Sequence, residues 1–268
     1  MSNYEGVAWS EGPALVYERL ALAVVDDCPR PLDGALVLDV GAGTGVVGAV
    51  AHGRGARVIA ADLSEAMLRA GQRRRPPAVL ADVAALPFRP AFDAVLGGCV
   101  VNHFDEPARI IAAIAAAARP GGAVVLSAFP TRADPLKEAI DAVCRASGWE
   151  APAWYRRMKA FERGLLGTAD RFASAGRAGG LDQVHVVDHD VSMAGLTAEQ
   201  AVAYRLGLAP VVPWLAALPP ERARHVREEA TSACAPLVER WAMPLLVMTG
   251  DVARARARSG GGPRSSRR

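Results

Sequence analysis

Short apolar segments alternate with segments of helical periodicity along the first half of the chain. Apolar runs that begin at 36 and span 56–62, 78–82, 92–98 and 123–129 predict five buried strands. Between them, apolar residues recur three or four positions apart, as at Ile110, Ile111 and Ile114, and predict amphipathic helices. The Arg-Pro-Gly-Gly segment at 119–122 is expected to end the last of these helices. This alternation predicts a parallel sheet covered by helices on both faces.

The second half of the chain departs from this regular alternation. Helices are predicted at 134–147, 152–163, 168–178, 197–207 and 219–240, and two further strands at 183–191 and 244–250. The whole chain is therefore expected to adopt a Rossmann-like α/β fold. It would have a seven-stranded, mostly parallel sheet with helical insertions in its C-terminal half.

A single domain is expected at 1–255, because no linker or internal repeat interrupts the pattern. Its parts would be an N-terminal lid at about 1–30, a core at about 31–130 and covering helices at about 131–240. The Arg/Gly/Ser-rich tail at 256–268 is expected to be disordered.

Composition excludes several classes of function. Of 268 residues, 51% are hydrophobic, and the net charge is only +3, which gives no support for a nucleic-acid partner. No apolar run reaches the ~20 residues of a membrane span, and the N-terminus has no basic start followed by an apolar stretch. We therefore expect a cytoplasmic protein without a membrane partner, present as a monomer or homodimer. The scattered Cys28, Cys99, Cys144 and Cys234 predict buried thiols and no metal site.

A glycine-rich turn after the first predicted strand is the main candidate for ligand binding. Glycines at such a turn let a ligand approach the backbone, and the next helix offers unpaired N–H groups. Gly43, Gly45 and Gly48 fit the Gly-x-Gly-x-x-Gly fingerprint of dinucleotide-binding folds. Gly41, Gly43 and Gly45, preceded by Asp39, suit a different cofactor. The turn alone leaves both interpretations open.

Three acidic residues at the ends of predicted strands favour the second interpretation. Asp39 lies inside the first strand, where a carboxylate is costly to bury unless it faces amides or a cationic ligand. Asp62 ends the second strand, where a carboxylate can accept hydrogen bonds from both hydroxyls of a ribose. Asp82 ends the third strand and can accept a hydrogen bond from an adenine amino group. Three acids suit a ligand with ammonium and sulfonium groups better than a pyrophosphate.

Five segments of the first half occur in a characteristic order. They are VLDVGAGTG (37–45), DLSEAML (62–68), ADVAALPF (81–88), FDAVLGGCVVNHF (92–104) and RPGGAVVLSAF (119–129). In this order the chain resembles the class I S-adenosylmethionine-dependent methyltransferases, in the small-molecule branch that includes the quinone C-methyltransferases. The resemblance implies S-adenosylmethionine as cofactor and methyl transfer as activity, and it leaves the methyl acceptor open.

The resemblance also implies contacts with the cofactor. The implied residues are Tyr17, Asp39, Gly41, Gly43, Gly45, Asp62, Leu63, Met67, Asp82, Val83, Gly97 and Gly98. Among them, Asp39 would support the methionine ammonium, Asp62 would hold the ribose hydroxyls and Asp82 would bind the adenine amino group. Leu63 and Met67 would pack against adenine, but their helical spacing also fits an ordinary core. Asp82 also fits a simple cap of the loop that follows it.

His103 is the candidate catalytic residue. Methyl transfer from a sulfonium is an in-line displacement, so it depends mainly on positioning, and a base helps when the acceptor is an alcohol, a phenol or a carbon acid. His103 follows the fourth predicted strand, and the ordinary pKa of histidine lies near neutrality. A histidine at this place also fits a role in packing the loop.

The helical insertions at 134–178 and 195–240 are expected to cover the methyl acceptor. Some of their large side chains would pack on the sheet and others would line an enclosed pocket: Trp149, Trp154, Tyr155, Phe161, Tyr204, Leu206, Leu208, Val211, Val212 and Trp214. Tyr204 and Arg205 are candidate polar groups for binding the acceptor. A small, largely hydrophobic acceptor is expected, such as a specialised metabolite or a prenylated or aromatic precursor.

Two other functions stay open from the sequence. A methyltransferase fold can bind its cofactor and catalyse a different reaction, such as a cyclisation. The Gly43–Gly48 fingerprint also allows an NAD-dependent oxidoreductase.

Overall fold

Seven strands form one sheet in the computed structural model, which describes Trp9 and residues 12–73 and 75–254. They are β1 (Leu36–Val40), β2 (Arg57–Asp62), β3 (Ala78–Leu80), β4 (Phe92–Gly97), β5 (Ala118–Ala128), β6 (Leu181–Ser192) and β7 (Ala242–Val252). Their order is β3-β2-β1-β4-β5-β7-β6. The pairs from β3 to β5 are parallel, and β7 runs antiparallel to both β5 and β6. The predicted Rossmann-like, mostly parallel sheet is confirmed.

Helices fill the connections between the strands. They are α1 (Pro13–Asp26), α2 (Val46–Gly53), α3 (Glu65–Gly71), α4 (Pro107–Ala115), α5 (Pro135–Ala146), α6 (Ala153–Phe161), α7 (Ala169–Ala178), α8 (Ala198–Leu206), α9 (Val212–Ala216) and α10 (Pro220–Val238). α6 ends earlier than predicted and continues as a π-helical turn, Glu162–Leu166. The predicted tail at 256–268 and the first eight residues of the predicted lid lie outside the described residues.

Both faces of the sheet are buried. Val37 and Val125 contribute to one apolar cluster, which also contains residues of α1, α5 and α8. Their strand neighbours Leu38 and Val124 contribute to a second cluster, which contains residues of α4 and α7. Alternate residues of a strand face opposite sides, so strands covered on both sides have nearly continuous apolar sequences. This burial explains the apolar runs from which the strands were predicted.

The Arg-Pro-Gly-Gly segment lies elsewhere than predicted. α4 ends at Ala115, and residues 119–122 belong to β5, which begins at Ala118. The register between β4 and β5 shifts in the interval from Phe92 to Ala94, so the segment forms an irregularity within the strand. Gly121 has a φ of +76° there, a backbone conformation that favours glycine.

Arg205 is an ion-pair partner in the interior rather than the predicted contact for the acceptor. Its side chain is fully buried, its Nε donates to Asp141 Oδ1 at 2.5 Å, and its guanidinium lies 5.3 Å from the centre of the Trp149 ring. Asp141 Oδ2 accepts a hydrogen bond from Lys137 Nζ at 2.8 Å. Burial raises the pKa of Asp141, but the neighbouring Arg205 and Lys137 charges outweigh it and hold that pKa below its usual value. This pair joins α5 to α8.

Asp141→Ala is expected to lower the free energy of unfolding by about 3–5 kcal/mol at pH 7, because it leaves a buried guanidinium without its partner. Since the folded-state pKa of Asp141 is lowered, its contribution is complete above the unfolded pKa and is lost as pH falls through the folded pKa. The difference between the two proteins should therefore shrink below about pH 4. Urea unfolding measures both effects. Glu221→Ala, which removes an exposed ion pair with Arg224, is the control and should change stability little. A loss no larger than that of the control would contradict this role of Asp141.

Candidate active site

A cavity of about 940 Å³ lies at the carboxyl ends of the parallel strands. This is the edge at which doubly wound sheets bind ligands. Twelve residues singled out from the sequence border it: Tyr17, Asp39, Gly41, Gly43, Asp62, Leu63, Met67, Asp82, Val83, Gly98, His103 and Tyr204. The fold therefore brings together most of the predicted site.

Gly45 and Gly97 do not border the cavity. Gly45 has a φ of +85° at the start of α2, and a Cβ there would lie 2.3 Å from the Cβ of Arg75. A Cβ at Gly97 would lie 2.8 Å from a methyl group of Leu126 and 3.1 Å from one of Val40. These two glycines serve the turn and the packing of the sheet, and their contacts with a cofactor stay a prediction.

Two carboxylates hold the glycine loop between β1 and α2. Asp62 accepts a hydrogen bond from the Gly43 amide at 2.7 Å, and its other oxygen accepts one from the Ser64 amide at 2.7 Å. Asp39 accepts a hydrogen bond from the Gly48 amide at 2.8 Å. The loop is therefore anchored at both ends by residues of β1 and β2.

Gly48 was matched to the dinucleotide fingerprint, but the structure gives it another role. A Cβ at this position would lie 2.9 Å from Asp39 Oδ2, so only glycine leaves the carboxylate room to reach the amide. The spacing of Gly43 and Gly48 thus follows from the placement of an acidic residue beneath the loop.

Asp39 is a buried acidic residue of this half of the cavity with only one of its two oxygens hydrogen-bonded. It is fully buried, and its Oδ1 has no hydrogen-bond partner among the described residues. Burial, with a smaller contribution from the Asp62 charge, raises the pKa of Asp39 to about 7, although the Gly48 amide opposes the shift. Burial also raises the pKa of Asp62 above its usual value. A ligand that brings positive charge or hydrogen-bond donors would relieve this cost.

The residues expected near adenine border the cavity and include both apolar side chains and a carboxylate hydrogen-bond acceptor. Leu63 is 59% exposed at the cavity, which argues against an ordinary core position, whereas Met67 is buried in the wall. Val83 is buried as well. Asp82 accepts a hydrogen bond from the Ala84 amide at 2.8 Å, so it does cap the following turn, and its side chain is still exposed at the cavity.

His103 lies in the other half of the cavity. Its side chain is exposed, but the space to which it is exposed is the cavity within the protein. Burial and the nearby Lys159 charge together lower the pKa of His103 to about 4. The imidazole is therefore neutral at physiological pH and a weaker base than its ordinary pKa would suggest.

The insertions cover the cavity as predicted, with about half of the named side chains in its wall. Trp154, Tyr155, Phe161, Tyr204 and Leu208 border it. Trp149, Leu206 and Val211 are buried in the core, and Val212 and Trp214 do not border the cavity.

Charged groups in this wall were not foreseen from the sequence. Lys159 donates a hydrogen bond to Glu162, and both residues border the cavity, as do Lys137, Glu138 and Arg157. Lys137 and Lys159 are the only lysines of the chain, and this scarcity is the one sequence signal that could have pointed to them.

The described part of the chain contains no group of three or more His, Cys, Asp or Glu residues arranged to hold a metal ion. None of its helices has the length and apolar character needed to cross a membrane.

Comparison with known sequences matches the first half of the chain. The family described as "Methyltransferase domain" matches residues 38–126. Demethylmenaquinone methyltransferase of Clavibacter sepedonicus is 38% identical over 112 residues, which are 40% of this chain and 46% of that protein. The enzyme of that name from Mycolicibacterium paratuberculosis is 34% identical over 158 residues, which are 54% of this chain and 69% of that protein. Ubiquinone biosynthesis O-methyltransferase of Leptothrix cholodnii is 35% identical over 117 residues, 40% of this chain and 50% of that protein. The chain spans about half the length of most of these relatives.

Solved structures share the fold over nearly the whole chain. Phosphoethanolamine N-methyltransferase 2 of Haemonchus contortus, in complex with phosphomonomethylethanolamine and S-adenosylhomocysteine, has a TM-score of 0.55 at 16% identity. That match covers 88% of this chain and 52% of the other. The cyclase SpnF has a TM-score of 0.54 at 19% identity, with 89% of this chain and 81% of that chain covered. At these sequence identities the similarity shows a shared fold and nothing about function.

The match to the methyltransferase family includes the glycine loop and favours S-adenosylmethionine over a dinucleotide as its ligand. The chain belongs to the family of class I S-adenosylmethionine-dependent methyltransferases.

Proposed function

We propose that the protein transfers a methyl group from S-adenosylmethionine to a small, largely hydrophobic acceptor. The observation that carries this proposal is the buried, half-satisfied carboxylate of Asp39 beneath the glycine loop. Its unpartnered oxygen matches the ammonium that an S-adenosylmethionine-dependent enzyme has to bind. A dinucleotide would instead bring a second negative charge to this place.

The residues of the sheet edge fit the rest of the cofactor. Each Asp62 oxygen already accepts one amide hydrogen, and a carboxylate oxygen can accept another, here from a ribose hydroxyl. Asp82 is the acceptor proposed for the adenine amino group, and Leu63, Met67 and Val83 provide apolar surface for the ring. The Gly98 carbonyl, with Gly41 and Gly43, completes the proposed contacts.

Tyr17 is proposed to cover the cofactor in its half of the cavity. Its ring centre lies 4.6 Å from that of Trp9 and 6.3 Å from that of Tyr204. These aromatic residues border the cavity together, so they can exclude water where the two halves meet. Bound S-adenosylmethionine supplies an activated methyl group and a neutral leaving group, and the chain has mainly to hold the acceptor in line with it.

The acceptor is proposed to be an aromatic or prenylated precursor. Trp154, Tyr155 and Phe161 offer flat apolar surface in the covering insertion, and relatives named for menaquinone and ubiquinone synthesis act on molecules of this kind. The family match ends at residue 126, before this insertion begins, so it does not include these side chains. A specialised metabolite fits the same walls.

Several properties predicted from the sequence belong to this proposal. We place the protein in the cytoplasm as a monomer or homodimer, with a small-molecule acceptor and no nucleic-acid or membrane partner. A non-methylating reaction such as a cyclisation is the second candidate, because the cyclase SpnF shares the fold across most of its length.

The function is tested by incubating the protein with methyl-labelled S-adenosylmethionine and a panel of hydroquinones, phenols and their prenylated forms. The proposal expects S-adenosylhomocysteine and a labelled product in equal amounts, both measured by mass spectrometry. A rearranged product without label would favour cyclisation. Cofactor binding with neither product across the panel would contradict methyl transfer to this class of acceptor.

Asp62→Ala is expected to weaken binding of S-adenosylmethionine by about 1–3 kcal/mol, because charge-assisted hydrogen bonds to the ribose are lost. Isothermal titration calorimetry measures the change. Asp105→Ala removes an exposed carboxylate that does not border the cavity, and its affinity should equal that of the wild type. Equal affinity of all three proteins would refute the assignment of the ribose to Asp62.

His103→Gln is expected to reduce turnover on the order of 100-fold if the imidazole accepts the proton of the acceptor, while cofactor affinity is retained. Because the pKa of His103 is lowered to about 4, the wild-type rate should stay level around neutrality and fall only as pH drops toward 4. A rate that falls between pH 7 and 6, or a variant that loses cofactor binding equally, would argue against this role.

A further inference from the structure

Glu162 has a buried carboxylate oxygen that the protein leaves without a partner. The residue is only 2% exposed, and it borders the half of the cavity that contains His103. Its Oε2 accepts a hydrogen bond from Lys159 Nζ, whereas Oε1 has no hydrogen-bond partner among the described residues. An unmet acceptor inside a protein is costly, so such an oxygen at a cavity wall points to a donor on the ligand.

The backbone at Glu162 is also irregular. α6 ends at Phe161, and a π-helical turn begins at Glu162 and runs to Leu166. π-helical turns are rare and occur frequently at functional sites, since the extra residue redirects the side chains around it. This turn sets Glu162 into the wall of the cavity.

The Lys159–Glu162 pair lies close to the carboxyl end of β4. Burial, with the Glu162 charge as a smaller contributor, raises the pKa of Cys99 to about 12. The Lys159 charge adds to burial in lowering the pKa of His103. Lys159 Nζ also lies 5.7 Å from the centre of the Phe129 ring, which follows β5. The pair therefore borders the part of the cavity proposed to hold the acceptor.

The charges around Glu162 indicate which kind of donor the oxygen would take. Lys159 already balances the carboxylate, so the pair has no net charge to attract a cation. Besides this pair, four basic residues border the same half of the cavity against two acidic ones: Arg132, Lys137, Arg157 and Arg163 against Asp134 and Glu138. This excess of positive charge disfavours an ammonium group. A neutral hydroxyl can donate to the carboxylate without this repulsion.

We propose that the Glu162 carboxylate accepts a hydrogen bond from a hydroxyl group of the methyl acceptor, and so selects hydroxylated aromatic molecules over amines and over their methyl ethers. The inference rests on the proposed function, because it concerns the acceptor of that reaction. It adds a substrate class and a specificity-determining residue to it.

Binding of matched probes tests the inference without any turnover. Naphthol, its methyl ether and naphthylmethylamine, an alkyl amine that carries an ammonium group at neutral pH, are titrated calorimetrically into the protein in the presence of S-adenosylhomocysteine. The wild type should bind naphthol at least about tenfold more tightly than the methyl ether, because the ether has no hydrogen to donate. Naphthol should also bind more tightly than the amine.

Glu162→Gln should reduce the preference for naphthol over its ether to about twofold, with the affinity for the ether unchanged. Glu138→Gln is the matched control, because Glu138 is an exposed residue of the same cavity, and it should keep the full preference. If Glu162→Gln does not fold, Lys159→Met combined with Glu162→Met removes both charges together and should abolish the preference.

The outcomes separate this inference from the proposed function. Equal binding of naphthol and its ether by the wild type, a preference that survives in the Glu162 variants, or tighter binding of the amine would each overturn the role of Glu162. Binding of S-adenosylhomocysteine without binding of any probe would overturn the assignment of hydroxylated aromatic acceptors. Failure to bind S-adenosylhomocysteine would count against the proposed function itself.

Discussion

The hydrogen bond between the Asp39 carboxylate and the Gly48 amide links the carboxyl end of β1 to the first turn of α2. It forms only because Gly48 has no side chain, and it buries a carboxylate whose second oxygen stays unmet. Asp62 holds the other side of the same loop through the Gly43 amide. These two hydrogen bonds fix the shape of the loop from within the protein, and a cationic ligand beside Asp39 would offset the free-energy cost of burying its carboxylate. The cofactor half of the site depends on this arrangement.

The two halves of the cavity come from different parts of the chain. The carboxyl ends of β1 to β4 form the cofactor half, and the family match covers this region. The loop at 129–134 after β5, α6 and the π-helical turn after it contribute most to the other half. In the proposed function, the sheet edge would therefore bind the cofactor and the insertions would bind the acceptor. Lys159 and Glu162 belong to the second part, which explains why the relatives' names say little about what binds there.

Much of the fold was predictable because it depends on local periodicity. Strands buried on both faces have nearly continuous apolar runs, and the acids at their carboxyl ends were predicted to form a site and do border the cavity. The failures have specific causes. The segment at 119–122 contains the glycines of a turn, but Ala118 and Ala123 on either side of it both pair with β4, so it forms an irregularity within β5. Arg205 lies next to Tyr204 in sequence, yet successive helical residues point in different directions, and only Tyr204 reaches the cavity.

Contacts between distant segments could not be derived from the sequence. The pKa of His103 depends on Lys159, which lies on another element, and the pattern around His103 contains no sign of it. In the sequence, Glu162 has the pattern of an ordinary polar position of a helix. In the structure it begins a π-helical turn and lies in the cavity wall. Side chains that recognise an acceptor come from insertions whose packing is not periodic, and this is where sequence-based prediction had least to offer.

Titration of the Asp39 carboxyl carbon by NMR, assigned with Asp39→Asn, tests most directly the claim that this residue awaits a cationic ligand. In the protein without ligand its pKa should be about 7. Saturation with S-adenosylmethionine should lower it by about one to three units, because an ammonium beside the carboxylate favours the charged form. A pKa that is unchanged by the ligand, or one already near the ordinary value for aspartate without it, would contradict the account.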